Sequence, residues 1–228
     1  MIEAVLFDLD ETLVDRMASI SKYAALFHRD FGDYLPGVSV AEVEATLNAL
    51  DGRGYRPKGE VYAGIVARLQ WSSAPDISAV RDHWLASFPA SAVGRIGLRQ
   101  TLSELTACGL RLGIVSNGSV MAQSAKIERL QIGKYFSSVV ISEAVACEKP
   151  DPRIFRRALD EIGTDARATW FVGDHPLNDF FGAAAAGLVP VWLEGVHPWP
   201  AGHPDPERRI RALPELVGLI LRERTDAV

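Results

Sequence analysis

Short apolar runs and helical periods alternate along most of the chain. Continuous apolar stretches occur at residues 2–7, 110–115, 139–141, 169–172 and 189–193, of the kind that a parallel sheet buries on both faces. Helical patterns fill residues 98–108, 120–130, 152–162 and 179–186. The alternation predicts an α/β fold, a doubly wound parallel sheet.

One interval breaks the pattern. From residue 15 to 92 there is no convincing strand, yet helical periods recur. Ile20, Tyr23, Ala24, Phe27 and Phe31 share one helical face. Ser39 precedes Glu42 by three residues, the spacing of a capping box, and opens a helix to about Leu50. Residues 61–69 and 77–88 continue the theme, with Trp71, Trp84 and Phe88 expected in an apolar core. The expected organisation is an all-helical insert at 15–92, placed over the carboxyl end of the first strand, within a core made of 1–14 and 93–228. Four prolines in 197–206 predict a wandering loop. Residues 208–221 predict a last helix packed on the sheet.

Composition narrows the function without naming it. The 228 residues are 48% hydrophobic and 23% charged, with a formal net charge of -5. That balance fits a globular protein and offers no basic field for nucleic acid. Cys108 and Cys147 are too few for a disulfide framework or a zinc site. They are expected as reduced thiols in the cytoplasm. The N-terminal apolar run is interrupted by Asp8 and Asp10 and follows no basic leader, so neither signal peptide nor membrane span is expected.

Ligands of open parallel sheets bind outside the carboxyl ends of the strands, and those ends carry the polar chemistry of this chain. Asp8, Asp10 and Thr12 follow the first strand. Ser116-Asn117-Gly118 follows the second, Glu148-Lys149-Pro150-Asp151 the third, and Asp174 with Asp179 the fourth. Carboxylates, a hydroxyl, an amide and a lysine suit metal-assisted phosphoryl transfer. Magnesium takes hard oxygen ligands, and Asp8, Asp174 and a backbone carbonyl would hold it. Asp8 would attack phosphate in line, while Asp10 would protonate the leaving alkoxide and later activate water. Lys149 would keep Asp8 ionised and touch a phosphoryl oxygen. Thr12, Ser116 and the amides of Asn117 and Gly118 are expected at the substrate. Asp179 would orient metal waters or Lys149.

Asp8-Leu9-Asp10-Glu11-Thr12, Ser116-Asn117, Lys149-Pro150 and Gly173-Asp174 with Asp179 resemble the four ordered motifs of the haloacid dehalogenase-like hydrolase superfamily. The chain resembles the subfamily with a helical cap of the first type. The resemblance implies a Rossmann-like sheet of strand order 5-4-1-2-3, magnesium and an aspartyl-phosphate intermediate. It also implies Asp8 as nucleophile and metal ligand, Asp10 as acid/base and as ligand through its carbonyl, and Asp174 as a further ligand. True dehalogenases of this superfamily lack an aspartate matching Asp10, so its presence points to phosphate esters. Glu11 stands where glycine or asparagine is frequent, which leaves the local geometry of that turn open.

Other polar residues have plainer readings. His175 is expected as a polar rim residue, and His28, His83, His197 and His203 have no spacing that suggests a site. The basic residues of 51–58 predict a solvated turn, with contact to an anionic group of the substrate as the alternative; Arg16 is open between hinge and site. The expected activity is a magnesium-dependent phosphomonoesterase acting on a small phosphorylated metabolite, with no nucleic-acid or membrane partner. A phosphoglucomutase-type transferase and a catalytically silent ligand-binding module are its rivals.

Overall fold

Ala4, Val5, Leu6 and Phe7 are all fully buried, and in the computed structural model, which describes residues 2–225, they form a central strand. In chain order the elements begin β1 (Ala4–Phe7), β2 (Val14–Asp15), α1 (Arg16–Phe31), α2 (Val40–Asp51), α3 (Lys58–Arg68), α4 (Ile77–Ser87) and β3 (Val93–Gly94). Then follow α5 (Leu98–Ala107), β4 (Arg111–Ser116), α6 (Val120–Leu130), β5 (Ser138–Ile141), α7 (Ser142–Val145), α8 (Pro152–Ile162) and β6 (Thr169–Gly173). The last are α9 (Gly182–Ala185), β7 (Val189–Leu193), β8 (Arg209–Ile210) and α10 (Glu215–Thr225).

The main sheet is parallel throughout, in the order β5-β4-β1-β6-β7-β8. Counted over the five apolar runs, β7-β6-β1-β4-β5 is the order 5-4-1-2-3. The difference is a sixth strand, β8, at the edge beyond β7. It has no apolar run to announce it. Two backbone bonds hold it, from Trp192 N to Arg208 O and from Glu194 N to Ile210 O, at 3.0 and 2.9 Å. The helix expected over 208–221 therefore starts later, at Glu215. A separate two-stranded ladder joins β2 and β3.

The chain divides into two compact units, one holding everything up to Val14 and from Gly94 onward, the other Asp15–Val93. The division falls one residue after the expected end of the insert. In the sheet unit, α8 shows how sequence makes a core helix. Pro152 occupies its first turn, Asp151 Oδ1 accepts from Arg153 N at 2.9 Å, and left-handed Gly163 ends it. Between these stops Ile154, Phe155, Ala158, Leu159 and Ile162 form one apolar stripe, packed with Leu6, Val115 and Phe171 of the sheet.

The other unit is built from helices. Ser39 and Glu42 form the capping box at the start of α2, with Ser39 N donating to Glu42 Oε2 at 2.7 Å and Glu42 N to Ser39 Oγ at 3.3 Å. Tyr23, Phe27, Val43, Leu47, Ile65, Trp84 and Phe88 share its core, with Trp71 partly buried against it. The 51–58 segment is more than a solvated turn. Asp51 is fully buried, and Arg16 holds it in a two-pronged ion pair at 2.6 Å on each oxygen. Lys58 Nζ adds a third contact at 3.1 Å. Arg53 and Tyr55 alone of its large side chains stay exposed. No helix among the described residues is long and apolar enough to cross a membrane.

Candidate active site

Asp8 directly follows β1, and its N–H donates to Val172 O of β6 at 2.9 Å, so the two strand ends are in register where Asp8 and Asp174 leave the sheet. Lys149 arrives from the segment after β5. Its Nζ donates to Asp8 Oδ1 at 2.6 Å and to Asp179 Oδ1 at 2.7 Å. Carboxylate oxygens of Asp8, Asp174 and Asp179 lie within 4.8 Å of one another, and all three residues are buried. Residues far apart in sequence thus meet in one buried cluster of three carboxylates and one ammonium.

Each member is held from behind. Asn117 Nδ2 donates to Lys149 O at 2.9 Å, and Lys149 N donates to Asn117 Oδ1 at 2.8 Å, a reciprocal clamp between two strand ends. Thr12 Oγ1 donates to Asp174 Oδ1 at 3.2 Å, and Trp192 Nε1 to Asp174 O at 3.0 Å. His175 N donates to Asp179 Oδ2 at 2.9 Å. A π-helical turn over Pro176–Phe181 brings Asp179 back towards β6, where a regular α-helix from Asp179 was expected. Such wide turns recur at functional sites. Gly173 is part of the same device: a Cβ there would lie 2.4 Å from Asp179 Cβ, Cγ and Oδ2.

Asp10 faces a different group. Lys126 Nζ sits 2.7 and 2.6 Å from its two oxygens. Gln123 Nε2 donates to Asp10 Oδ2 at 3.0 Å and to Ser116 Oγ at 2.7 Å. Gln123 and Lys126 were not legible as site residues. They occupy positions i and i+3 of α6, a spacing that puts them on one face, and both are buried.

Two groups expected at the substrate also bond within the protein: the Thr12 hydroxyl donates to Asp174, and Gly118 N–H donates to Ser142 Oγ at 3.0 Å. The Asn117 side chain, whose backbone amide was the expected contact, clamps Lys149. These groups shape the site, because each fills a hydrogen bond that burial would otherwise leave unmade. Glu11 adopts φ 62°, the left-handed region that favours glycine and asparagine. Arg95 stabilises the turn, with Nε donating to Glu11 O at 2.9 Å and NH2 to Glu11 Oε2 at 3.4 Å. His197 also departs from expectation: its Nε2 lies 3.4 Å from Asp174 Oδ2.

The electrostatics show what the cluster lacks. Burial pushes Asp8 up to about 7, with Asp179 and Asp10 adding to the rise and Lys149 opposing it. Burial, then the charges of Asp179 and Asp8, push Asp174 up to about 9. Burial alone would lower Lys149, but Asp179 and Asp8 outweigh it and hold the ammonium above the ordinary lysine range. One lysine does not balance three carboxylates. Asp174 Oδ2 accepts no hydrogen bond although it is buried. An all-oxygen donor set with an orphaned carboxylate oxygen fits a hard divalent cation, which would supply the missing positive charge.

Comparison with known proteins adds a likeness of family and fold. The sequence profile of the family described as haloacid dehalogenase-like hydrolase matches residues 5–192. A glyceraldehyde 3-phosphate phosphatase of Pyrococcus abyssi is 30% identical over 217 residues, covering 85% of this chain and 82% of that protein. A phosphoserine phosphatase of Thermus thermophilus is 39% identical over 106 residues, 46% of this chain and 43% of that one. The crystal structure of the HAD-hydrolase YfnB from Bacillus subtilis, bound to magnesium, superposes with a TM-score of 0.75. It is 21% identical and covers 96% of this chain and 98% of its own, a likeness of fold.

Proposed function

The chain belongs to the haloacid dehalogenase-like hydrolases, and from that premise we propose that it is a magnesium-dependent phosphomonoesterase acting on a small phosphorylated metabolite. The observation that carries this reading is the Lys149 ammonium bridging Asp8 and Asp179 beside Asp174. A carboxylate that must attack phosphorus has to stay ionised in a buried place, and a lysine at 2.6 Å favours that state. The names of the phosphatase relatives support phosphate esters over halides, as does Asp10.

In this reading Asp8 Oδ attacks the phosphorus of the ester and the bond to the leaving oxygen breaks. Asp10 gives its proton to that oxygen, releasing the alcohol. Asp10 then takes a proton from water, whose oxygen attacks the aspartyl-phosphate, freeing inorganic phosphate and restoring Asp8. Lys149 steadies charge on the phosphoryl oxygens. Magnesium would be held by Asp8 and Asp174, with the Asp10 carbonyl as a further ligand and Asp179 behind. When bound it neutralises the phosphate so that an anionic nucleophile can approach. The same reading gives the sheet unit the part of catalytic core and Asp15–Val93 the part of a cap domain.

The test is phosphate release from a panel that includes glyceraldehyde 3-phosphate and phosphoserine. Hydrolysis should require magnesium and stop in excess chelator. Asp8→Asn should abolish turnover with the melting temperature retained. Turnover by that variant near the wild-type rate, or full activity in chelator, would overturn the reading.

A further inference from the structure

His197 stands on the loop between β7 and β8, a segment with no motif, yet its imidazole reaches the metal-site carboxylate. Nε2 is 3.4 Å from Asp174 Oδ2, the oxygen that accepts no hydrogen bond. The other contacts of Asp174 are on its far side and its backbone: Thr12 on Oδ1 and Trp192 on the carbonyl. We propose that His197 is a positioning residue, an imidazole arm that fixes the Oδ2 side of Asp174 and thereby aims this carboxylate at the cation. The inference rests on the reading of Asp174 as a metal ligand.

The loop is built to bring the ring there. Trp199, two residues on, packs against Trp192, Phe180 and Phe181 with ring centres 5.0, 4.9 and 5.3 Å away. Its Nε1 donates to Pro204 O at 3.0 Å and closes the loop on itself. His203 adds a ring contact with Phe181 at 4.7 Å. The loop is therefore pinned on the π-helical turn that carries Asp179. His197 itself lies against His175, with ring centres 4.6 Å apart and planes tilted by 53°. With its proton on Nε2, a small rotation of the ring turns a 3.4 Å approach into a hydrogen bond of ordinary length. On its other side the ring lines an open cleft of about 580 Å³ with Trp192, Glu194 and Arg211.

Partners behind a metal ligand orient it and raise its affinity; their loss costs about 10–100-fold in metal binding. Thr12 and His197 would grip the two oxygens of Asp174 from opposite sides, leaving its remaining lone pairs for the cation. This is a role that fold similarity alone does not call for, because the loop after β7 lies outside residues 5–192 of the family match.

The experiment titrates Mn2+, a probe for the magnesium site, into the full chain and reads free Mn2+ by its paramagnetic resonance. Four variants are compared with wild type, each checked for an unaltered far-ultraviolet spectrum. His197→Phe keeps the ring and its packing but removes the nitrogen; it should weaken Mn2+ binding about tenfold. His197→Gln keeps a donor and should fall within about threefold of wild type, since the hydrogen bond is what matters. His203→Ala removes one edge contact of the loop while Trp199 still pins it, and should bind nearly as wild type does. Asp174→Asn should lose binding altogether. Equal affinity for wild type and His197→Phe, with Asp174→Asn dead, overturns the role of His197 and leaves the metal reading standing. An Asp174→Asn variant that binds as well as wild type overturns the metal reading and the inference with it.

Discussion

A single ammonium spans Asp10: Lys126 Nζ lies 2.7 Å from Oδ1 and 2.6 Å from Oδ2. The same Nζ donates to Gln123 Oε1 at 2.7 Å, and Gln123 Nε2 returns to Asp10 Oδ2. The proposed acid/base is thus aimed by a buried lysine and glutamine from α6, apart from the lysine that serves the proposed nucleophile. Two carboxylates two residues apart in sequence have separate cations, which is how one short motif can give them separate tasks.

If Lys126 acts by aiming Asp10, its loss should be felt in kcat more than in KM. Asp10→Asn should lower kcat by about 10²–10⁴, the usual worth of a positioned acid or base. Lys126→Met should lower it by about tenfold, and the double variant should be no slower than Asp10→Asn alone. Multiplying effects in the double variant would mean that Lys126 works independently of Asp10.

Gly173 carries a sharper constraint. The 2.4 Å approach of a Cβ to Asp179 cannot be relieved by a flexible side-chain end, because Asp179 Cβ itself is one of the three atoms. Gly173→Ala should therefore displace Asp179 and loosen its bond to Lys149. Overpacking of this kind costs about 1–3 kcal/mol. The expected outcome is a lower urea midpoint together with lost turnover. A variant as stable and as active as wild type would show that the turn moves freely, against the close fit described above.

Much of this was legible from sequence, for identifiable reasons. Five strands showed themselves because parallel strands buried on both faces must be continuous apolar runs, as Ala4–Phe7 is. Asp8, Lys149, Asp174 and Asp179 stood out because charged residues at the ends of such runs have few other reasons to be there. What stayed hidden had no periodic signal. β8 is two residues long and starts with an exposed arginine. Lys126 and Gln123 look like the solvent face of an amphipathic helix until the fold turns that face inward. His197 lies in a proline-rich loop, where spacing carries no geometric information. The Arg16–Asp51 pair joins positions 35 residues apart, and only tertiary structure relates them.

That pair gives the pH prediction. Arg16 and Asp51 are buried, with side chains 5% and 1% exposed, and removing one partner of a buried pair costs about 3–5 kcal/mol. Burial by itself would raise the Asp51 carboxyl, but hydrogen bonds and charge from Arg16, followed by Lys58, outweigh it and hold it below the ordinary aspartate range. The folded value is lower than the unfolded one. Asp51 therefore contributes stability that is fully present above the unfolded value of about 3.9 and drains away as pH falls through the folded value. Asp51→Asn removes that titration and strands the Arg16 charge. The variant should be less stable than wild type at neutral pH by a margin that narrows below about pH 4, because only the wild type then loses the pair. Urea midpoints measured down the acid range decide it. Parallel curves for the two proteins, with a constant gap, would show that Asp51 titrates no differently in the folded and unfolded chain.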